Sequence, residues 1–338
     1  MLFVNDYAFL KTDSGQFVCG FGPFSESATP CESGVAFYVN DFELSDPRPW
    51  KIPARFEMTP DLEPVKNEVA NQDEPQIEWQ TLQNGLFQNV YEDIMQDIRS
   101  GLLEKSVPVL TERGRLLKGN LETLIHSVDH LPAPYFSYGF RLGASGCIGA
   151  SPELLFALHG HQLTTMALAG TAPTSQETRF EKDEKEINEH EFVAEYLIQK
   201  LGGLGIVDRE PRKLLTLGTI AHFHSPIHVD LEQPQELDSL IRLMHPTPAL
   251  GSFPRNKVAL GKLKTYRAQL KAPPRFGAPF GVWVEGAFHA VVAIRNISWH
   301  DEDVFLPSGV GVVRKSVFEN EWRELELKRN AVRETLGL

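Results

Sequence analysis

Long apolar runs that alternate with small residues and break at Gly and Pro constrain this chain's fold more than any other feature. In GVWVEGAFHAVVAIRNISW (281–299), β-branched and aromatic residues flank Glu285-Gly286, a pair suited to a two-residue turn, so the segment predicts a β-hairpin. CIGASPELLFAL (147–158), QLTTMALAGTA (162–172) and LLTLGTIAHFH (214–224) are β-prone in the same way. QFVCGFGPF (16–24) and SGVAFYVNDF (33–42) extend the pattern to the N-terminal region.

Helical periodicity interrupts these runs in three places. Phe87, Val90, Ile94, Ile98 and Leu102 recur every three or four residues, and SVPVLTERG (106–114) then reads as a strand. A second helix is predicted from about Asp183 to Leu201, with Phe192, Val193, Tyr196 and Leu197 on one face and Gly202-Gly203 closing it. A third covers about Glu319 to Leu336. Strands and helices mix without βαβ alternation, which predicts an α+β fold: a single large domain of two big antiparallel β-sheets flanked by helices. Within that domain 1–84 reads as a β-rich N-terminal part, and 85–338 as the region that carries the candidate chemistry. The polar, acidic, Pro-containing stretch at about 58–78 reads as a linker or long mobile loop.

Charge excludes some partners. With 33 Lys+Arg against 45 Asp+Glu the net charge is −12, which repels nucleic-acid phosphates and anionic membranes. No apolar run reaches the ~18–20 residues of a membrane helix. The start, MLFVNDYAFLKTDSG, has no basic region followed by an apolar one, and Cys19, Cys31 and Cys147 fit neither a disulfide frame nor metal spacing. A cytoplasmic protein with reduced thiols, a monomer or weak homodimer, is the expectation.

Several positions could carry chemistry. Glu186 and Glu189 in KEINEH, and Glu321 and Glu324 in ENEWRELELK, are spaced by three on predicted helices, so each pair shares a face. Two such faces together could hold a hard divalent cation through carboxylate oxygens; separately they are solvated amphipathic faces with intrahelical ion pairs. Glu153, after Pro152 in GASPELLF, is either an outward strand-end residue or a partly desolvated carboxyl poised to donate a proton. Ala169, Gly170 and Thr171 in MALAGTAP suit close approach of a ligand or a tight sheet bend. Gly309 and Gly311 in LPSGVGVV could offer N–H groups to a carboxylate. Arg295, in an apolar run, calls for a bound anion or a structural Glu. His222, His224 and His228 alternate on one strand face, as structural histidines or, less simply, as zinc ligands lacking a fixed fourth partner.

In order, GASPELLF, LAGTAP, KEINEH, AHFHSPI, HPTPALGSFPR, APFGVWVEGAFHAVVAIRN and GVGVVRKSVFENEWRELELK resemble the corresponding segments of the chorismate-utilising enzymes, from about Lys105 to Lys328. That family includes isochorismate synthases, salicylate synthases, anthranilate synthases and aminodeoxychorismate synthases. The resemblance implies a cleft that binds chorismate with Mg²⁺. Glu189 and Glu324 would be the principal Mg²⁺ ligands, with Glu186 and Glu321 in support. Arg295, Lys328, Ala169, Gly170, Thr171, His222 and the N–H groups of Gly309 and Gly311 would form the substrate-binding set. Lys105, in GLLEKSVPVL, matches the lysine with which the isochorismate- and salicylate-forming members activate water, and Glu153 would protonate the departing hydroxyl. Anthranilate synthases usually carry Gln at the Lys105 position, and aminodeoxychorismate synthases usually carry Lys at the Ala169 position, so water is the expected nucleophile. Salicylate-forming members commonly have Thr and Tyr where this chain has Ala249 and Phe276. With Leu250 and Ile294, these point to the isochorismate-releasing type.

The function implied is Mg²⁺-dependent isomerisation of chorismate to isochorismate, by water addition at C2 and loss of the C4 hydroxyl. It would serve menaquinone biosynthesis, or a siderophore route. The alternatives are a salicylate synthase and a catalytically inactive chorismate-binding protein. Two departures stand out: Ala172 replaces the usual Arg after the AGT motif, and Pro226 is expected to perturb its strand.

Overall fold

Seventeen antiparallel strands join edge to edge in the computed structural model, which describes residues 6–69 and 73–338. From one edge the order is Gln76–Trp79, Val109–Lys118, Asp303–Gly309, Asn296–His300, Ser145–Ser151, Phe136–Leu142, Tyr7–Lys11 and Phe17–Ser27. It continues through Trp50–Thr59, Val35–Val39, Pro279–Val284, Ala287–Val292, Leu154–His159, Gln162–Pro173 and Ile220–Leu231. Gly205–Arg209 and Lys213–Leu217 share the last edge. The two expected sheets are the two arms of this ladder. Trp50–Thr59 pairs with both Phe17–Ser27 and Val35–Val39 and so joins them.

The arms face each other across a shared core. Leu10, Val18, Tyr138 and Phe140 of the first arm meet Phe37, Phe280 and Val282 of the second, with the Tyr138 and Phe280 rings 5.4 Å apart. Phe9, Phe17 and Cys19, on the opposite face of the same strands, are also buried, against Leu124, Val128 and Leu336. Burial on both faces explains why the N-terminal runs are continuously apolar.

The helices form where periodicity places them. Asn84–Arg99 buries Phe87, Val90, Ile94 and Ile98. It stops three residues before Leu102, because Gly101 adopts φ +78°. Glu184–Leu201 starts at Asp183, whose carboxylate accepts from the amides of Lys185 and Glu186. Val193, Ala194, Leu197 and Leu201 of this helix pack on the second arm. Phe318–Leu336 buries Leu325, Val332 and Leu336. No helix among the described residues is long and apolar enough to cross a membrane.

Three local expectations meet the structure directly. Glu285 and Gly286 both have positive φ and turn the hairpin between Val284 and Ala287. The 58–78 stretch is more than a linker. Met58 and Thr59 finish a strand, Leu62 and Val65 are fully buried around the short helix Glu63–Lys66, and Gln76–Trp79 pairs with Val109–Lys118. Residues 70–72 lie outside the described residues. Pro226 does not interrupt its strand: Ile220–Leu231 runs through it, with Met166 opposite. The Pro226 carbonyl accepts from the Glu210 amide, just beyond the end of Gly205–Arg209 and before Lys213–Leu217 begins. In extended backbone a residue's N and C=O face the same side, so the missing donor falls in the gap between two neighbouring strands.

Candidate active site

A cleft lies between the second arm and the helices Glu184–Leu201 and Phe318–Leu336. Its strand wall comes from Gln162–Pro173 and Ile220–Leu231. Their register shifts between Ala169 and Ala172, and Gly170, at φ +76°, occupies the bulge. The bulge turns the Gly170 carbonyl to His222, whose Nδ1 donates to it at 2.7 Å. Arg295 sits just past Ala287–Val292 in the left-handed region at φ 55°, uncommon for a residue with a side chain. Its guanidinium donates to His222 Nε2 at 3.0 Å. One histidine nitrogen donates and the other accepts, so the ring is neutral. Burial, and then the Arg295 charge, push its pKa down to about 3. Burial also pulls Arg295 down, to about 10. Among the described residues no carboxylate lies within ion-pair distance of Arg295, so a structural Glu is not its partner.

Ala169, Gly170, Thr171, His222, Ala249, Phe276, Ile294, Arg295, Gly309, Gly311 and Lys328 all line this one cleft, with Glu153, Glu189 and Glu324. Leu168, Leu250, Ser308 and Val332 complete parts of the wall. Of these only Leu250 stands out in the sequence. His224 and His228 do not line the cleft, and among the described residues no set of His, Cys, Asp or Glu converges closely enough to hold a metal as it stands. His222 bonds Gly170 and Arg295 while His228 bonds Thr164 and Glu210, so the histidines of this strand do not meet as zinc ligands.

Glu153 is buried, and burial pushes its carboxyl up to about 7. Opposing that are a hydrogen bond from Thr247 Oγ1, at 3.1 Å, and the charges of Lys105 and Lys328. It is therefore largely protonated at mildly acidic pH and can donate. Thr247, in HPTPALGSFPR, carried no sequence signal: a threonine between two prolines is ordinary loop chemistry.

Lys105 is pinned from both sides. It pairs with Val313 in a short two-stranded ladder and bridges to Phe253. Its side chain is buried and its Nζ lies 2.8 Å from Glu189 Oε1. Burial acts to raise the Glu189 pKa, but the Lys105 charge and hydrogen bond outweigh it and hold the carboxylate low. Gly311 makes room for this pair, since a Cβ there would stand 2.9 Å from Glu189 Oε1 and 3.1 Å from Lys105 Cε.

The other three glutamates also answer lysines. Lys328 Nζ lies 2.7 Å from Glu324 and 3.0 Å from the Gly309 carbonyl. Glu186 and Glu321 line an adjoining groove, where Lys185 Nζ lies 3.1 Å from Glu186 and 4.0 Å from Glu321. Glu186 also accepts from the Thr171 amide at 3.1 Å. Burial and then the Glu189 charge raise the Glu186 pKa; burial and then the Glu324 charge push Glu321 up to about 7. Lys185 Nζ reaches a glutamate on each helix, so the two glutamate faces lie along one groove. Four hard oxygen donors on facing helices suit a cation such as Mg²⁺ in kind, although lysines now neutralise them.

Comparison with known proteins agrees with this architecture. Residues 52–337 match the family model described as chorismate binding enzyme. The salicylate biosynthesis isochorismate synthase of Pseudomonas aeruginosa is 28% identical over 260 residues, 72% of this chain and 53% of that protein. The isochorismate synthase EntC of Escherichia coli K12 is 30% identical over 219 residues, 60% of this chain and 54% of EntC. The matched region thus spans about half the length of these curated relatives. The structure of MenF, the menaquinone-specific isochorismate synthase from Escherichia coli, superposes with a TM-score of 0.76 at 19% identity, covering 98% of this chain and 88% of that chain. The match to the family model, over a region that contains every residue of the cleft, establishes that the chain belongs to the chorismate binding enzymes.

Proposed function

We propose that the protein is an isochorismate synthase that converts chorismate to isochorismate by adding water at C2 and expelling the C4 hydroxyl, with migration of the ring double bonds. The observation that carries this reading is a carboxylic acid raised to about 7 on the cleft wall, with the buried Lys105 held just behind the wall by Glu189. Arg295 and Lys328 supply positive charge for a dicarboxylate, and the bulge at Gly170 lets the ring approach the backbone.

Glu153 would give its proton to the departing hydroxyl, which its raised pKa favours. Lys105 would take the proton from the attacking water. A lysine salt-bridged to a carboxylate is an ammonium and cannot accept a proton, so Glu189 has to turn away before Lys105 can act. Glu189 and Glu324 would hold Mg²⁺, with Glu186 and Glu321 behind them, and the ion would supply charge neutralisation for the substrate carboxylate. Ala249, Phe276 and Ile294 place no hydroxyl on the cleft wall, which supports release of isochorismate over further conversion.

The test is to incubate the protein with chorismate and Mg²⁺, with and without ammonium, and to identify products by mass spectrometry. Isochorismate in both incubations is the expected result. Anthranilate would refute water as nucleophile, salicylate with pyruvate would refute release at the isochorismate stage, and unchanged chorismate would refute the activity.

A further inference from the structure

A second cavity shares Phe276 with the cleft but none of its charged residues. Its walls are aromatic: Phe140, Phe280, Trp299 and Phe305. Gly146 shapes one side, because a Cβ there would stand 2.0 Å from the Trp299 ring, so the indole lies directly against backbone. The charged groups on the lining are Arg113, Lys271 and Arg275, and no carboxylate joins them.

In a chain of net charge −12 such a set needs a reason. Among the described residues the side chains of these three cations make no ion pair and no hydrogen bond. Asp46, whose pKa Arg275 helps to lower, is instead bound to Lys51 at 3.0 Å. The guanidiniums of Arg113 and Arg275 each lie 5.4 Å from a ring centroid, over Phe305 and Phe140. A cation–π contact at that distance leaves guanidinium N–H groups available for a carboxylate. Aromatic walls favour a flat ring, and a cation-only lining favours an anion and disfavours an ammonium.

We propose that this cavity binds a small aromatic carboxylate, its ring against Phe140, Phe280 and Trp299 and its carboxylate on the free N–H groups of Arg113 and Arg275. The assignment does not depend on the reaction proposed above.

Benzoate is the probe, with benzamide as its neutral isostere, titrated calorimetrically into the full chain. An Arg295→Gln background suppresses carboxylate binding in the cleft. Benzoate is expected to bind this background at least tenfold more tightly than benzamide. Arg113→Gln with Arg275→Gln is expected to lower benzoate affinity at least tenfold. The benzamide comparison needs no substitution at the cavity, so it stands even if the double variant folds poorly. Equal affinity for benzoate and benzamide, undiminished benzoate binding in a folded double variant, or no benzoate binding would each overturn the proposal.

Discussion

Replacing Glu153 by Gln separates two consequences of burying a carboxyl beside the cleft. The carboxyl rises from an ordinary 4.5 to about 7, because burial outweighs Thr247, Lys105 and Lys328. The folded state therefore holds this proton more tightly than the unfolded chain does. Its contribution to stability is fully present below pH 4.5, declines as the pH rises, and is gone above pH 7. At ~1.36 kcal/mol per unit the loss amounts to about 3 kcal/mol. Gln keeps the shape and can still accept from Thr247, but it has no proton to lose.

The stability of Glu153→Gln relative to the parent should thus increase by about 3 kcal/mol between pH 4.5 and pH 8. Every other titration cancels in the difference between the two proteins. Urea unfolding at both pH values, with chelator present, measures it. A difference that stays constant within about 1 kcal/mol would show that Glu153 does not titrate near neutrality and would remove it as the proton donor. The same variant should lose chorismate turnover at every pH, while the parent's kcat should decline above about pH 7.

Two further substitutions probe the lysines. Lys105→Ala should abolish turnover while chorismate still binds by calorimetry. It should also destabilise the fold by leaving the half-buried Glu189 unpaired, and Glu189→Gln should restore most of that loss in the double variant. Near-normal turnover would reject its role as base. Lys185→Met removes the cation that now lies between Glu186 and Glu321, so the variant should bind Mn²⁺ at least tenfold more tightly, read as free ion by electron paramagnetic resonance. Weaker binding would show that Lys185 supports the ion rather than competing with it.

Much of the site was legible in the sequence because helical spacing is short-range. Glu186 with Glu189, and Glu321 with Glu324, share faces by periodicity alone. Placing Arg295 and the AGT residues on the same cleft, with Lys105 behind Glu189, needed the order of seven motifs and the family resemblance. The partners were not legible. Lys105 and Glu189 are 84 residues apart, and Thr247 and Glu153 are 94 apart. Nothing local marks either contact. The joining of two sheets into one ladder was hidden for the same reason, since strand alternation reports which face is buried and not which edge is paired. Pro226 misled because the rule against proline in strands assumes a neighbour at every position, and here the neighbouring strands leave a gap.

The charge of the cleft shows why its cations are arranged in pairs. An empty cleft of unpaired lysines and arginine would carry strong self-repulsion, whereas here Lys105 and Lys328 are each held by a glutamate. Arg295 is the exception, softened by burial and by the neutral His222. As it stands the cleft is close to neutral, a poor match for a dicarboxylate. If Glu189 and Glu324 turn to a divalent cation, the cleft gains the ion's two charges, and both lysines are released from their partners at the same moment. Lys328 then faces the substrate as a free ammonium, and Lys105 is no longer held by Glu189. On this reading the glutamates are a switch as much as a cage, and metal and chorismate should bind with positive coupling. Chorismate affinity that is identical with and without Mg²⁺ would show that the lysine–glutamate pairs never open, and Lys105 would stay bound to Glu189.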